Sequence, residues 1–316
     1  MLTVIGEALV DVVRRSSGEE AHVGGSPLNV AVGLARLDHA VQFIGRFGKD
    51  PYGEAIAAHL RSSSVMVPFA PDGKPSSVAT AVIDDDGAAS YTFDLAWELP
   101  GLAERLPFML QGASLLHTGS IATMLEPGAA EVLAAVEHAH PNATISFDPN
   151  CRPSIITDLE YARAQTERFV ALADIVKASD EDLEWLYPGV DVRESARRWL
   201  SLGSASGRQG PAMVVVTRGS AGPWGVTAAG EAEVPAPKVK VADTVGAGDS
   251  FMAALLSGVV DRGLDGAQNR EALRAMPAEV LRELLAHAAS AAAITVSRAG
   301  ANPPTRAEMN ALNAGK

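Results

Sequence analysis

Cysteine is nearly absent: Cys151 is the only one in 316 residues. No intramolecular disulfide can form, which suits a reducing compartment. Positive charge is also in short supply, with 26 Lys and Arg against 38 acids and a formal net charge of −12. A chain this acidic is a poor nucleic-acid binder. Long apolar runs are missing, since "AAAITV" near the end is far too short to cross a bilayer. Residues 1–5, "MLTVI", have no charged n-region and no cleavable apolar stretch, so no signal peptide is read. A cytoplasmic protein without membrane or nucleic-acid partners is expected. Repeats and low-complexity segments are absent too.

Two phosphate fingerprints are also missing. A P-loop needs G-x-x-x-x-G-K-[ST]. "FIGRFGKD" has Phe43 where the first glycine belongs and Asp50 in place of Ser or Thr. A dinucleotide fingerprint needs G-x-G-x-x-G, but Gly246 and Gly248 are followed by Phe251, far from the first strand. Both misses weigh against a P-loop NTPase and an NAD-linked oxidoreductase.

What is present reads as an ordinary globular chain, 47% hydrophobic and 20% charged. "LTVIG" (2–6) reads as a buried strand. In "GGSPLNVAVGLARL" (24–37), Ser26 is expected to cap a helix with Pro27 in its first position. "VQFIGRFG" (41–48) reads as strand then loop, and 51–63 as a helix. "SVATAVIDDDGAASYTFDL" (77–95) alternates and turns at "DDDG" (84–87), the pattern of a β-hairpin. Strands are then expected at 113–120, 143–150, 173–179 and 212–220, with helices around 127–140, 158–171 and 192–202. "GSASGRQG" (203–210) reads as a loop. Helices are expected from about Ala247 and over 278–296. This rhythm predicts a doubly wound, mostly parallel α/β sheet flanked by helices, over one domain spanning 1–316. Segments 11–23 and 77–99 do not fit the rhythm and are expected to pair into a small β-sheet lid.

"DTVGAGDSF" (243–251) is the densest chemical signal. Glycines let a backbone approach a ligand closely. A helix starting near Ala247 would aim free amides and a positive dipole end at an anion, most simply a phosphate. An acid there, Asp249, fits proton removal from an attacking hydroxyl. A plain glycine turn with a capping aspartate would have the same letters.

"GGSPLNVAVGLARLDHAVQFIGRFGKDPYG" (24–53) and "DTVGAGDSF" together resemble the two signatures of the ribokinase-like sugar kinases, the PfkB carbohydrate kinase family. The resemblance covers nearly the whole chain in order and spacing. It implies a lid closing over a sugar, ATP with Mg²⁺, and often K⁺. By resemblance, Asp249 is the catalytic base, and Gly246, Ala247 and Gly248 form the anion hole. Asp11, Gly24, Gly25 and Asn29 match sugar contacts. Thr217, Gly219 and Gly222 in "VVVTRGSAG" match the nucleotide loop. Asp243, the carbonyl of Val245, Thr295, Arg298 and Gly300 match a monovalent-cation site. One departure stands out: where the family often has N-x-x-E, this chain has Ser179 to Asp182. Mg²⁺ would then be held at Asp182 through water, with Ser179 as a ligand or a helix cap. Lys177 faces phosphate or is a solvated strand-end charge. An exposed sheet edge or face calls for a cover, so a homodimer through the lid is also expected.

"GEALVD" and "FDPNCRPS" (147–154) look most like the fructokinase and 2-keto-3-deoxygluconate kinase branch, with Arg152 reaching the substrate. A sugar acid calls for a cation against its carboxylate. No Lys or Arg occurs from 88 to 102, whereas Asp94 and Glu98 do. A neutral ketose is therefore expected, fructose first, with ribose-type and keto-acid kinases as alternatives. Tyr91, Phe93 and Trp97 are candidates to pack on the sugar or to fill the lid core. A non-catalytic sugar or nucleotide sensor would be expected to lack the acid that Asp249 supplies. "HAH" (138–140) has no third ligand at useful spacing, and Cys151 reads as an inert buried thiol.

Overall fold

Strands buried on both faces must be apolar almost throughout, and those of the large sheet are. The computed structural model describes residues 1–84, 89–203, 207 and 209–314. The expected turn at 84–87 lies, beyond Asp84, outside the described residues. The expected loop at 203–210 lies partly outside them.

The strands are β1 (Leu2–Ile5), β2 (Leu9–Arg15), β3 (Gly18–Gly24), β4 (Val41–Ile44), β5 (Ser77–Ile83), β6 (Ala89–Asp94), β7 (Leu115–Gly119), β8 (Thr144–Asp148), β9 (Ile175–Ser179), β10 (Met213–Thr217), β11 (Trp224–Thr227) and β12 (Gly230–Glu233). The helices used below are α1 (Ser26–Arg36), α2 (Pro51–Ser62), α3 (Leu102–Met109), α4 (Gly128–Ala139), α5 (Leu159–Val170), α6 (Asp180–Leu186), α7 (Val192–Leu200), α8 (Ala247–Asp261), α9 (Arg270–Arg274) and α10 (Ala278–Val296).

Eight strands form the main sheet in the order β12-β11-β10-β9-β8-β7-β1-β4. All pairs from β4 to β10 are parallel, and β11 and β12 close the far edge antiparallel. The sequence reading has no strand at β11 or β12. They are four residues each, too short to impose a period. Alternation across the sheet divides the core. Leu2, Val4, Met213 and Val215 pack with apolar residues of α1, α2, α8 and α10. Ile5, Val214 and Val216 pack on the other face with α3, α4, α5 and α7. Among the described residues no helix is long and apolar enough to cross a membrane.

The strand order reverses at β1, whose successors lie on opposite sides of it. Ligands in such sheets bind beyond the carboxyl ends of the strands at this switch point. The second sheet, β3-β2-β5-β6, rises beside it. It is built from the two segments that break the αβ rhythm. In it β2 pairs parallel with β5, flanked by the two antiparallel hairpin pairings.

Candidate functional site

Two helix N-termini meet beyond the carboxyl ends of the sheet. Gly246 has φ 72°, a left-handed conformation that starts α8 and suits glycine. A Cβ there would also lie 2.6 Å from that of Ala301. Asp249 is the third residue of α8. Its Oδ1 accepts from Ser26 Oγ at 2.6 Å and its Oδ2 from Asn29 Nδ2 at 2.8 Å. Both donors lie in the first turn of α1. Ser26 is therefore not the cap that the sequence suggests. Gly25 takes the cap position without a side-chain bond, and Pro27 falls second in the helix. A carboxylate 223 residues away has claimed the serine hydroxyl.

These residues line a cavity of about 620 Å³. Of the expected site residues it gathers Asp249, Gly246, Ala247 and Gly248. It also gathers Asp11, Gly25, Asn29, Phe93, Arg152, Lys177, Ser179, Asp182, Thr217 and Val245. Asp11 pairs across the small sheet with Ala79, and Ala79 with Phe93, so the three share one face. Asp11 is exposed across the open cleft, yet the surrounding walls desolvate it and raise its carboxyl above the ordinary value, with Arg152 opposing. Gly24 does not line the cavity. A Cβ on it would lie 2.4 Å from Asp11 Oδ2, so its bareness gives the carboxylate room.

Three aromatic expectations separate here. Phe93 lines the cavity, and Tyr91 stacks on it with centroids 6.5 Å apart. Trp97 is no sugar platform: it is 6% exposed and its Nε1 donates to the Ala122 carbonyl at 2.9 Å. Glu98 is also not a free acid of the lid, because Lys74 pairs with it at 2.5 Å. That lysine lies upstream of the 88–102 stretch that holds no Lys or Arg.

Ser179 and Asp182 form a reciprocal capping box at the start of α6. Asp182 Oδ2 accepts from the Ser179 amide and hydroxyl, and Oδ1 from the Cys151 amide at 2.7 Å. The cap alternative therefore describes Ser179. Among the described residues no three His, Cys, Asp or Glu side chains are grouped to hold a metal. A nucleotide-borne Mg²⁺ needs only one or two protein carboxylates, its other ligands being phosphates and water. Glu181 and Asp182 at the cavity wall fit that donor set.

Thr217 faces the cavity at the end of β10. Gly219, with φ 49°, opens a short turn, and a Cβ there would meet nothing within 4 Å. Gly222 differs: a Cβ would lie 2.2 Å from the Val234 carbonyl oxygen, so backbone crossing explains this glycine. Asp243 gathers the amides of Val245 at 3.0 Å and Gly300 at 2.8 Å, which hold its carboxyl below the ordinary value. Thr295 is buried, its hydroxyl donating to Ser250 Oγ at 2.7 Å. The Arg298 side chain turns away to Glu308. From these two, only backbone carbonyls could reach a cation near Asp243.

The structure adds a group that the sequence reading did not single out. Glu7, just beyond β1, is buried in the cavity floor and accepts from the Ala122 amide at 3.2 Å. Burial, opposed by these bonds and by Arg152, pushes its carboxyl up to about 7. Between 4.5 and about 7 the folded chain keeps a proton that the unfolded chain has released. Glu7 therefore stabilises the fold fully at low pH, and that contribution falls as pH rises through this window. Relative to wild type, Glu7→Gln is expected to gain about 3 kcal/mol between pH 4 and pH 8. Urea midpoints of both proteins at the two pH values measure this. For Lys177, one of the expected residues, the solvated alternative fails. It is 4% exposed and bonds to Asp148 at 2.7 Å, so it is no solvated charge. Cys151 is half-buried, and burial followed by the nearby Asp182 pushes its thiol up, leaving it inert.

Comparison with known proteins agrees with this geometry. The family model "pfkB family carbohydrate kinase" matches residues 1–308. A fructokinase of Rhizobium leguminosarum bv. trifolii is 34% identical over 266 residues, covering 81% of this chain and 79% of its own. The crystal structure of a Xylella fastidiosa fructokinase with bound ATP superposes with a TM-score of 0.87 at 26% identity, covering 99% of this chain and 98% of that one. That of a Vibrio cholerae O395 fructokinase, with fructose, ADP and calcium ion bound, has a TM-score of 0.77 at 27% identity, covering 98% of each chain. The fold is thus ribokinase-like, and with nearly its whole length matched this chain belongs to the pfkB family of carbohydrate kinases.

Proposed function

We propose that this protein is an ATP-dependent fructokinase with Asp249 as its general base. The observation that carries this reading is the Asp249 carboxylate, aimed by Ser26 and Asn29 at the N-terminus of α8. A sugar hydroxyl gives its proton to Asp249 as its oxygen bonds to the γ-phosphorus, and ADP leaves with the bridging oxygen. The amides of Gly246, Ala247 and Gly248 stabilise the charge that develops on the phosphoryl group. Bound Mg²⁺ would neutralise phosphate charge near Glu181 and Asp182. K⁺ would sit by the carbonyls around Asp243, supporting the same loop. Thr217 and Gly219 border the nucleotide.

The substrate follows from the charge of the cavity. Its lining carries five acids, Glu7, Asp11, Glu181, Asp182 and Asp249, against Arg152 and Lys177 among the described residues. Lys177 pairs with Asp148 at 2.7 Å, and the Arg152 guanidinium donates to the carbonyls of Asn150 and Cys151. The five acids outnumber the two cations, so a neutral ketose is favoured over a sugar acid. The β2–β3–β5–β6 sheet acts as the lid. Tyr91, 62% exposed on the same lid face as Phe93, offers an apolar contact for a second copy.

The test is ADP release with ATP and Mg²⁺ across fructose, ribose, tagatose and 2-keto-3-deoxygluconate, with and without K⁺. Fructose is expected to have the highest kcat/KM. A signal from the keto-acid alone would refute the charge argument and keep the mechanism.

A further inference from the structure

Lys177 lies in β9 and Asp148 at the end of β8, one rung beyond the Phe147–Val176 pair of the parallel ladder. Their ion pair, at 2.7 Å, is the most buried in the molecule among the described residues, with side chains 4% and 1% exposed. Burying two charges costs several kcal/mol per ion, and the attraction seldom offsets this with much to spare. A buried pair is therefore weak evidence for a stabilising role. The rest of its geometry is one-sided. Asp148 does not line the cavity and its Oδ1 is buried without a partner. Lys177 does line the cavity. Its Nζ lies 3.1 Å from the point where a Cβ on Gly248 would sit, beside the α8 amides. One of its three N–H groups is spent on Asp148.

We propose that Lys177 binds the γ-phosphoryl group in transit and that Asp148 is the positioning residue that holds its ammonium at the anion hole. This rests on the kinase reading above. In the transfer, the bond between the γ-phosphorus and the bridging oxygen breaks and its electron pair leaves with ADP. The new bond forms to the sugar oxygen, and the proton goes to Asp249. Lys177 makes and breaks no covalent bond; it offsets charge on the peripheral phosphoryl oxygens while the amides hold the same group. Burial works against its charge, but the carboxylates of Asp148, Asp182 and Asp249 outweigh burial and keep it protonated.

Nucleotide binding without sugar tests this independently of which sugar is the substrate. The probes are ADP and the imido analogue of ATP, in which nitrogen replaces the β–γ bridging oxygen, titrated by calorimetry. Lys177→Met is expected to weaken the analogue about tenfold or more and to leave ADP within about threefold. Because that change alone strands Asp148 in the core, the double variant Lys177→Met/Asp148→Asn is measured in parallel. It removes both charges and is expected to show the same selective loss. Asp148→Asn alone keeps the ammonium but replaces its charged acceptor with a weaker neutral one, and should fall between. An unchanged analogue-to-ADP ratio in Lys177→Met and in the double variant overturns the proposal and makes the pair structural. A ratio lowered by Lys177→Met but untouched by Asp148→Asn overturns the part given to Asp148. A wild-type protein that binds neither nucleotide overturns both this proposal and the kinase reading.

Discussion

Asp249→Asn is expected to lower sugar phosphorylation by at least about 100-fold while nucleotide binding persists. The substitution keeps the shape and removes the proton acceptor. Ser26 and Asn29 both donate to this carboxylate, so its two oxygens are fixed in direction before any sugar arrives. An amide accepts at only one of its two positions and meets the second donor with N–H groups. The loss should therefore appear in kcat, with a smaller change in stability. Nucleotide affinity, measured by titration, is the control, because the α8 amides do not depend on the carboxylate. Turnover within about tenfold of wild type would remove Asp249 from the chemistry.

Arg46→Ala is expected to have the largest effect on stability, a loss of about 3 kcal/mol, with a raised KM for the sugar. The Arg46 side chain is 3% exposed and forks onto both Asp72 oxygens at 2.6 and 2.7 Å. It also donates to the carbonyls of Lys74 and Pro75, ahead of β5, and of Ala96, beyond β6. One guanidinium thus fastens both ends of the β5–β6 hairpin to the loop after β4. Asp72 is about a third exposed, which places the expected loss at the low end for a broken buried pair. Arg46→Lys should recover little, since a single ammonium cannot reproduce the planar fork. Chemical denaturation and sugar KM, measured on both variants, test this. A stable Arg46→Ala protein with unchanged KM would mean that other contacts hold the lid.

The order of strands and helices was largely readable because each element of the parallel sheet is a local apolar run. The anion-binding helix was readable for the same reason, since "VGAGDSF" carries its bend, its start and its acid within seven residues. What escaped depends on distance along the chain. Asp148 and Lys177 sit in separate strands 29 residues apart, and only the parallel ladder brings them together. Glu7 looks like one more polar residue at a strand end until the turn after β7 brings the Ala122 amide to it. Ser26 illustrates the opposite case. Its local capping preference was plain, and a tertiary partner overrode it. Trp97 and Gly222 have the right residue types for ligand contact, but the core and a backbone crossing use them. Lys74 lies far upstream of the 88–102 stretch, yet it pairs with Glu98 there.

The most direct test of the account follows the fate of γ-labelled phosphate. Wild-type protein is incubated with fructose, Mg²⁺ and ATP labelled at the γ-position, and label is traced to sugar, water or ATP. The expected result is label in a fructose phosphate with one ADP formed per transfer, abolished by Asp249→Asn. Label released only to water, or retained in bound ATP whatever sugar is supplied, would contradict the assignment of this cavity as a sugar kinase site.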